Sequence, residues 1–136
     1  GRLYRDTVMK YCSKTKVIEV VGKGLVEAVE SGSSAELLLR KYISDLTAQK
    51  ADVLVLGCTH FPFLTEQIRM IAPGDMTIIN PAPAVALQAQ KIANSLSFDN
   101  NKQRIFYSTG ATESLERITK TIDNTLTADS FIHTDI

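Results

Sequence analysis

The chain has 136 residues, with 15 Lys and Arg balancing 15 Asp and Glu for a formal net charge of +0. That balance excludes a partner held mainly by neutralising phosphates, which demands a net basic face, so no nucleic-acid partner is expected. No run approaches the roughly 18 to 20 consecutive apolar residues that span a bilayer, and the polar opening GRLYRDTVMKYC lacks the apolar centre of a signal peptide.

The resulting expectation is a soluble cytoplasmic protein that does not contact membrane. Its two thiols, Cys12 and Cys58, are too few for a disulfide framework. A composition of 44% hydrophobic and 22% charged residues matches a chain that folds around a core. Gly at position 1, in place of Met, reads as a sign of processing or of a fragment.

In chain order, a first helix is expected from about Tyr4 to Cys12, with Val8, Tyr11 and Cys12 spaced so that Cys12 becomes a core residue. Lys16 to Val21 (KVIEVV), rich in β-branched residues, reads as a strand. A helix from about Gly24 to Glu30 should stop at Gly32. Ser33 and Glu36 then stand at capping-box spacing and open a helix to about Ala48, whose stripe is Leu38, Leu39, Tyr42, Ile43 and Leu46.

Asp52 to Leu56 (DVLVL) is apolar on both faces, as a strand buried in a parallel sheet would be. Gly57 ends it, Pro62 suits the first position of the next helix, and Leu64, Ile68 and Ile71 give that helix a core face before Pro73-Gly74 closes it. Thr77 to Asn80 is strand-like, and Val85, Ala89, Ile92 and Leu96 line one side of the helix that follows. Arg104 to Ser108 makes another strand and Thr109-Gly110 a turn. Thr112 can cap a last helix striped by Leu115, Ile118, Ile122 and Leu126, and the tail SFIHTDI adds a strand. Strands regularly separated by helices predict an α/β fold of parallel-sheet layers with flanking helices.

Ligands in open α/β sheets bind beyond the carboxyl ends of strands, and one such place is chemically loaded. Directly after DVLVL come Gly57-Cys58-Thr59-His60-Phe61-Pro62, which set a thiol, a hydroxyl and an imidazole just before an expected helix N-terminus. Free backbone N–H groups and a neighbouring imidazolium favour a thiolate there, and the same N–H groups can hold a substrate carboxylate. A free Cys is equally at home as a small buried hydrophobe, and His60 as a structural histidine. Cys12, Cys58, His60 and His133 lack the paired spacings of a zinc site, so no metal is expected, and His133 reads as a surface residue of the tail. Neither G-x-G-x-x-G nor a P-loop pattern is present.

Leu56 to Leu64 (LGCTHFPFL) resembles the second cysteine motif of the glutamate racemases, within the cofactor-independent aspartate/glutamate racemase family. Val29-Glu30-Ser31-Gly32 is similar to that family's V-E-x-G, Tyr107-Ser108-Thr109-Gly110 to its late strand-turn segment, and Tyr4 to one of its tyrosines. Aspartate-racemase relatives tend to carry Glu where His60 stands. The chain departs from the pattern at Gly22-Lys23, where many relatives have Cys-Pro, and at Glu27, where Pro is common.

The resemblance implies a two-lobed fold of which this chain is the C-terminal half. Residues 1–80 would form the second lobe, and residues 81–136 would return to the first. The family's first cysteine motif, A-C-N-T-like, and an Asp-Ser pair near its N-terminus are absent here. The implied activity is interconversion of L- and D-glutamate by two cysteines without a cofactor, supplying D-glutamate to peptidoglycan synthesis. Cys58 would be one acid/base, assisted by His60, with Thr59 holding substrate and Glu30 orienting the histidine. With a lobe missing, apolar surface after Asn80 would be covered by another copy or stay loosely held, so a homo-oligomer or disorder there is expected, and the chain alone would be inactive. Two other readings stay open at this point: a related amino-acid racemase with another substrate, and a non-catalytic α/β binding module in which Cys58 is structural.

Overall fold

The computed structural model describes residues 2–96, 104–127 and 130–135. Among the described residues there are six helices and four short strands, alternating from α3 onward: α1 (Arg2–Tyr11), α2 (Leu25–Ser31), α3 (Glu36–Ala48), β1 (Val53–Val55), α4 (Thr65–Ile71), β2 (Thr77–Ile79), α5 (Ala82–Asn94), β3 (Phe106–Ser108), α6 (Thr112–Ile122) and β4 (Phe131–His133). A 3-10 turn over Phe61–Leu64 joins β1 to α4. Among the described residues no helix is long and apolar enough to cross a membrane.

The strands form two parallel pairs. In the first, β1 lies beside β2 with Leu54 opposite Ile78, and the ladder is extended by Leu56 N–H donating to the Ile79 carbonyl at 3.0 Å. In the second, β3 lies beside β4 with Phe106 opposite Phe131, their rings stacked with centroids 5.3 Å apart. Parallel partners need a crossover between them, and α4 and α6 supply it, which gives the α/β fold expected from the alternation of periods.

The principal core gathers around the first pair. Leu25, Ala28 and Val29 of α2, Leu39 and Ile43 of α3, Ala35, Leu56, Leu64, and Ile68 of α4 are buried together. Burying each larger aliphatic side chain contributes about 1.5–3 kcal/mol, so this cluster is the main favourable term holding the site's scaffold. Two left-handed glycines bound α2. Gly24 (φ 83°) precedes it, and Gly32 (φ 72°) ends it, donating its N–H to the Ala28 and Val29 carbonyls.

Several expectations give way to local physics. Lys16–Val21 is not a strand: β-branched residues favour extended backbone only where a ladder partner receives it, and here Val17, Val20 and Val21 are exposed with no pairing. The Ser33–Glu36 capping box does not form, because Ser31 Oγ donates to Ser33 Oγ at 2.8 Å and Arg40 holds the Glu36 carboxylate at 2.8 Å. α3 therefore starts at Glu36 after Ala35, with no side-chain cap. Thr112 is the first residue of α6 and does not cap it.

Strand β1 is not covered on both faces either, since Val53 and Val55 are 45% and 56% exposed. Cys12 is not a core residue: it is half-buried just past α1, a helix with no buried residue. Near it, the Tyr4 hydroxyl is held above its ordinary range, first by desolvation and then by the Glu19 carboxylate. The tail pairs as β4, as expected, and Ile136 at its end lies outside the described residues.

Candidate active site

Cys58 follows β1 by three residues, where the ladder has just ended and the chain turns. The turn is closed by Phe61 N–H donating to the Cys58 carbonyl at 3.2 Å, and Phe63 N–H donates to the His60 carbonyl at 3.1 Å. These bonds correct one expectation. The residues after Cys58 begin a 3-10 turn of four residues, not an open helix N-terminus, and two of the N–H groups that could have met an anion are already engaged.

The tight turn brings the three chemical groups together. Cys58 is half-buried, and its Sγ lies 3.9 Å from Nδ1 of His60. Thr59 Oγ1 stands 3.5 Å from the same nitrogen, on the exposed side. On the far edge of the ring, Nε2 of His60 meets Oε1 of Glu30 at 3.0 Å. The imidazole is 28% exposed and the carboxylate 50% exposed, so the pair is wetted at one side and closed at the other.

With Glu30 accepting the Nε2 proton, the neutral ring presents Nδ1 as an acceptor to the thiol. A proton leaving the Cys58 sulfur then finds a base, and the resulting imidazolium is paired with a carboxylate. This nucleophile–base–orienter order is a general device for activating a weak acid, and long contacts before substrate arrives are common in it.

Glu30 sits in the last turn of α2, where a carboxylate opposes the negative end of the helix dipole. A compensating cation comes from a distant element that the sequence did not reveal. Arg117 of α6 donates through one guanidinium nitrogen to the Val29 carbonyl at 2.9 Å and also to the Glu30 carbonyl, while Ser114 Oγ donates to the Glu30 carbonyl at 3.2 Å. These partners are 84 to 88 residues away along the chain, and no spacing rule connects them.

Gly22 is placed by close approach: a β-carbon there would lie 2.8 Å from Leu25 Cδ1 and 2.9 Å from the Phe61 ring. His133 stays apart from the site, with Nδ1 3.0 Å from the Gly110 carbonyl. Among the described residues no group of three His, Cys, Asp or Glu could hold a metal ion. An open depression of about 450 Å³ between α3 and the end of α4, lined by Arg40, Ile43 and Pro73 among others, includes none of the site residues.

No protein-family model matches the chain. A curated glutamate racemase from Roseiflexus sp. (strain RS-1) is 38% identical over 105 residues, 74% of this chain and 39% of that protein. The crystal structure of a glutamate racemase isoform from Bacillus anthracis superposes with a TM-score of 0.78 at 25% identity, over 99% of this chain and 53% of that one. The chain belongs to the glutamate racemase family. The glutamate racemase of Francisella tularensis, solved in complex with D-glutamate, shares the fold at a TM-score of 0.73 and 22% identity, over 97% of this chain and 52% of that one. Against these glutamate racemases the chain spans between about two-fifths and about half of their length.

Proposed function

We propose that Cys58 is one of two acid/base groups in a cofactor-independent racemisation of glutamate. The observation that carries this is the alignment of Glu30, His60 and Cys58 through contacts of 3.0 and 3.9 Å at the carboxyl end of a parallel strand. Its chemistry is proton transfer at an α-carbon. The Cα–H bond breaks, the proton passes to the Cys58 thiolate, and the electron pair rests on the α-carbon until an opposing thiol protonates the other face. His60 receives and returns the thiol proton, Glu30 orients the ring, and Thr59, exposed beside the imidazole, holds the substrate. The α-proton is a very weak acid, so fixed donors in a site closed to water must stabilise the carbanionic charge.

Inversion needs groups on both faces of one carbon. The chain's other thiol, Cys12, follows a helix that buries nothing against the core, and we assign it no part in the site. Residues 1–80 then act as one lobe and residues 81–136 as part of the other, with the opposing thiol supplied from outside this chain. The exposed apolar residues of α5 support assembly with another copy. A cytoplasmic role in providing D-glutamate for peptidoglycan fits the same reading.

The test is D-glutamate formation from L-glutamate, with solvent deuterium incorporation at the α-carbon as a second readout. This chain alone should give neither above the background of Cys58→Ala. In a longer protein that joins it to an opposing thiol, Cys58→Ala should lower the rate by about 10²- to 10⁴-fold, the usual worth of a positioned acid/base, while Cys12→Ala leaves most of it. A Cys58→Ala protein that still racemises would overturn the assignment.

A further inference from the structure

We propose that Arg117 is a positioning residue for this site: by clamping the C-terminal carbonyls of α2 it sets the Glu30 carboxylate against His60. The inference rests on the reading of Cys58, His60 and Glu30 given above and extends it to a helix that carries none of them. Three observations converge. One guanidinium nitrogen donates to the carbonyls of both Val29 and Glu30, and Ser114, one turn earlier on α6, donates to the Glu30 carbonyl as well. The guanidinium lies against the left-handed turn at Gly32, where a β-carbon would stand 3.4 Å from Nη1. The same residue whose backbone is clamped, Glu30, carries the carboxylate that meets His60 Nε2 at 3.0 Å.

The last carbonyls of a helix have no intrahelical donors; at this end the Gly32 N–H serves those of Ala28 and Val29, and Arg117 and Ser114 supply donors to that of Glu30. α2 is only seven residues long and ends in a carboxylate-bearing turn that its own dipole disfavours. Arg117 answers both needs with a cation that is also a multiple donor. The Glu30 carboxylate pairs with the His60 imidazole, while the Arg117 guanidinium donates to the backbone of the same residue. Among the described residues the hydrogen bonds of Arg117 go to the Val29 and Glu30 carbonyls and not to Cys58, Thr59 or His60, so its effect passes through Glu30.

The experiment uses the whole chain labelled with nitrogen-15 and reads the His60 ring nitrogens by NMR, together with the rate at which iodoacetamide alkylates Cys58 at pH 7, resolved from Cys12 by peptide mass. Glu30→Gln should move the Nε2 signal and slow alkylation. Arg117→Met, which keeps the stem and removes the donors, should move both in the same direction by a smaller amount, and Arg117→Lys should restore them because an ammonium also offers several N–H groups from one atom. In the Glu30→Gln background, Arg117→Met should add nothing, the mark of an effect routed through Glu30.

If Arg117→Met leaves the signal and rate unchanged while Glu30→Gln alters them, or if the two substitutions add independently, the positioning role is overturned and the site assignment stands. If Glu30→Gln itself changes neither readout, the assignment fails and the inference fails with it. Should Arg117→Met not fold, Ser114→Ala removes a single donor from the same clamp and is expected to shift the Nε2 signal in the Glu30 background only; no shift in either background would likewise overturn the role.

Discussion

Helices α3 and α5 are each 13 residues long, yet one is built into the core and the other is not. α3 buries Leu39, Ile43 and Leu46, whereas α5 buries none of its residues and leaves Val85, Leu87 and Ile92 more than half exposed. Their sequences announce the same thing, an apolar stripe at helical spacing. What separates them is a partner: α4 packs on α3, and among the described residues no element covers α5 to a comparable extent. Periodicity therefore locates a face that wants covering without saying that this chain covers it.

The largest effect that could break this contrast is a core truncation. Leu39→Ala or Ile43→Ala should lower stability to urea by about 2–5 kcal/mol through lost burial and a cavity, while Leu87→Ala should stay within about 0.5 kcal/mol. Equal losses in the two helices would show α5 to be packed in solution. A smaller loss, about 1–3 kcal/mol, is expected for Gly22→Val, because even its β-carbon collides with Leu25 and Phe61. Unchanged stability in that variant would mean that the loop before α2 yields easily.

Replacing Ile92 with Lys should leave unfolding of the first sheet and its helices unaltered and reduce the proposed self-association, as read by sedimentation beside the unsubstituted chain. Association that persists in Ile92→Lys would place the contact elsewhere.

The smallest effect expected is at the turn after α6. Asp123 is held well below its ordinary value of 3.8, at about 2, first by the Thr125 hydroxyl, then by the Thr125 backbone N–H and by Arg104. A carboxylate whose folded value is depressed favours the folded state above its unfolded value and loses that contribution on protonation. Protection of the Thr125 amide should thus be full above about pH 4 and decline as the pH falls towards 2, and Asp123→Asn should remove that dependence. An amide whose exchange shows no such acid response beyond the intrinsic rate would contradict it.

Much of the scaffold was legible in the sequence for identifiable reasons. The stop of α2 at Gly32 and the Leu64–Ile68–Ile71 spacing are local devices that survive into the fold, whereas Pro62, expected to open an α-helix, lies in the 3-10 turn before α4. The site's order Cys58-Thr59-His60 was legible because a short turn after a strand leaves little freedom in where three consecutive side chains go. Lys16–Val21 misled because a strand is half of a pair, and its other half is not offered. Glu30 could be named from V-E-x-G alone, but Arg117 could not, because its partnership exists only once α6 is laid across the end of α2.

The setting of Cys58, at a strand end with His60 and Glu30 behind it, is expected to make it chemically unlike Cys12, although both thiols are half-buried. Competitive alkylation of the two in one sample of the folded chain at pH 7 measures this directly. Cys58 should react faster by on the order of tenfold, as activated thiols do, and the advantage should be lost in His60→Asn. Equal rates for the two thiols, or an advantage that survives His60→Asn, would contradict it.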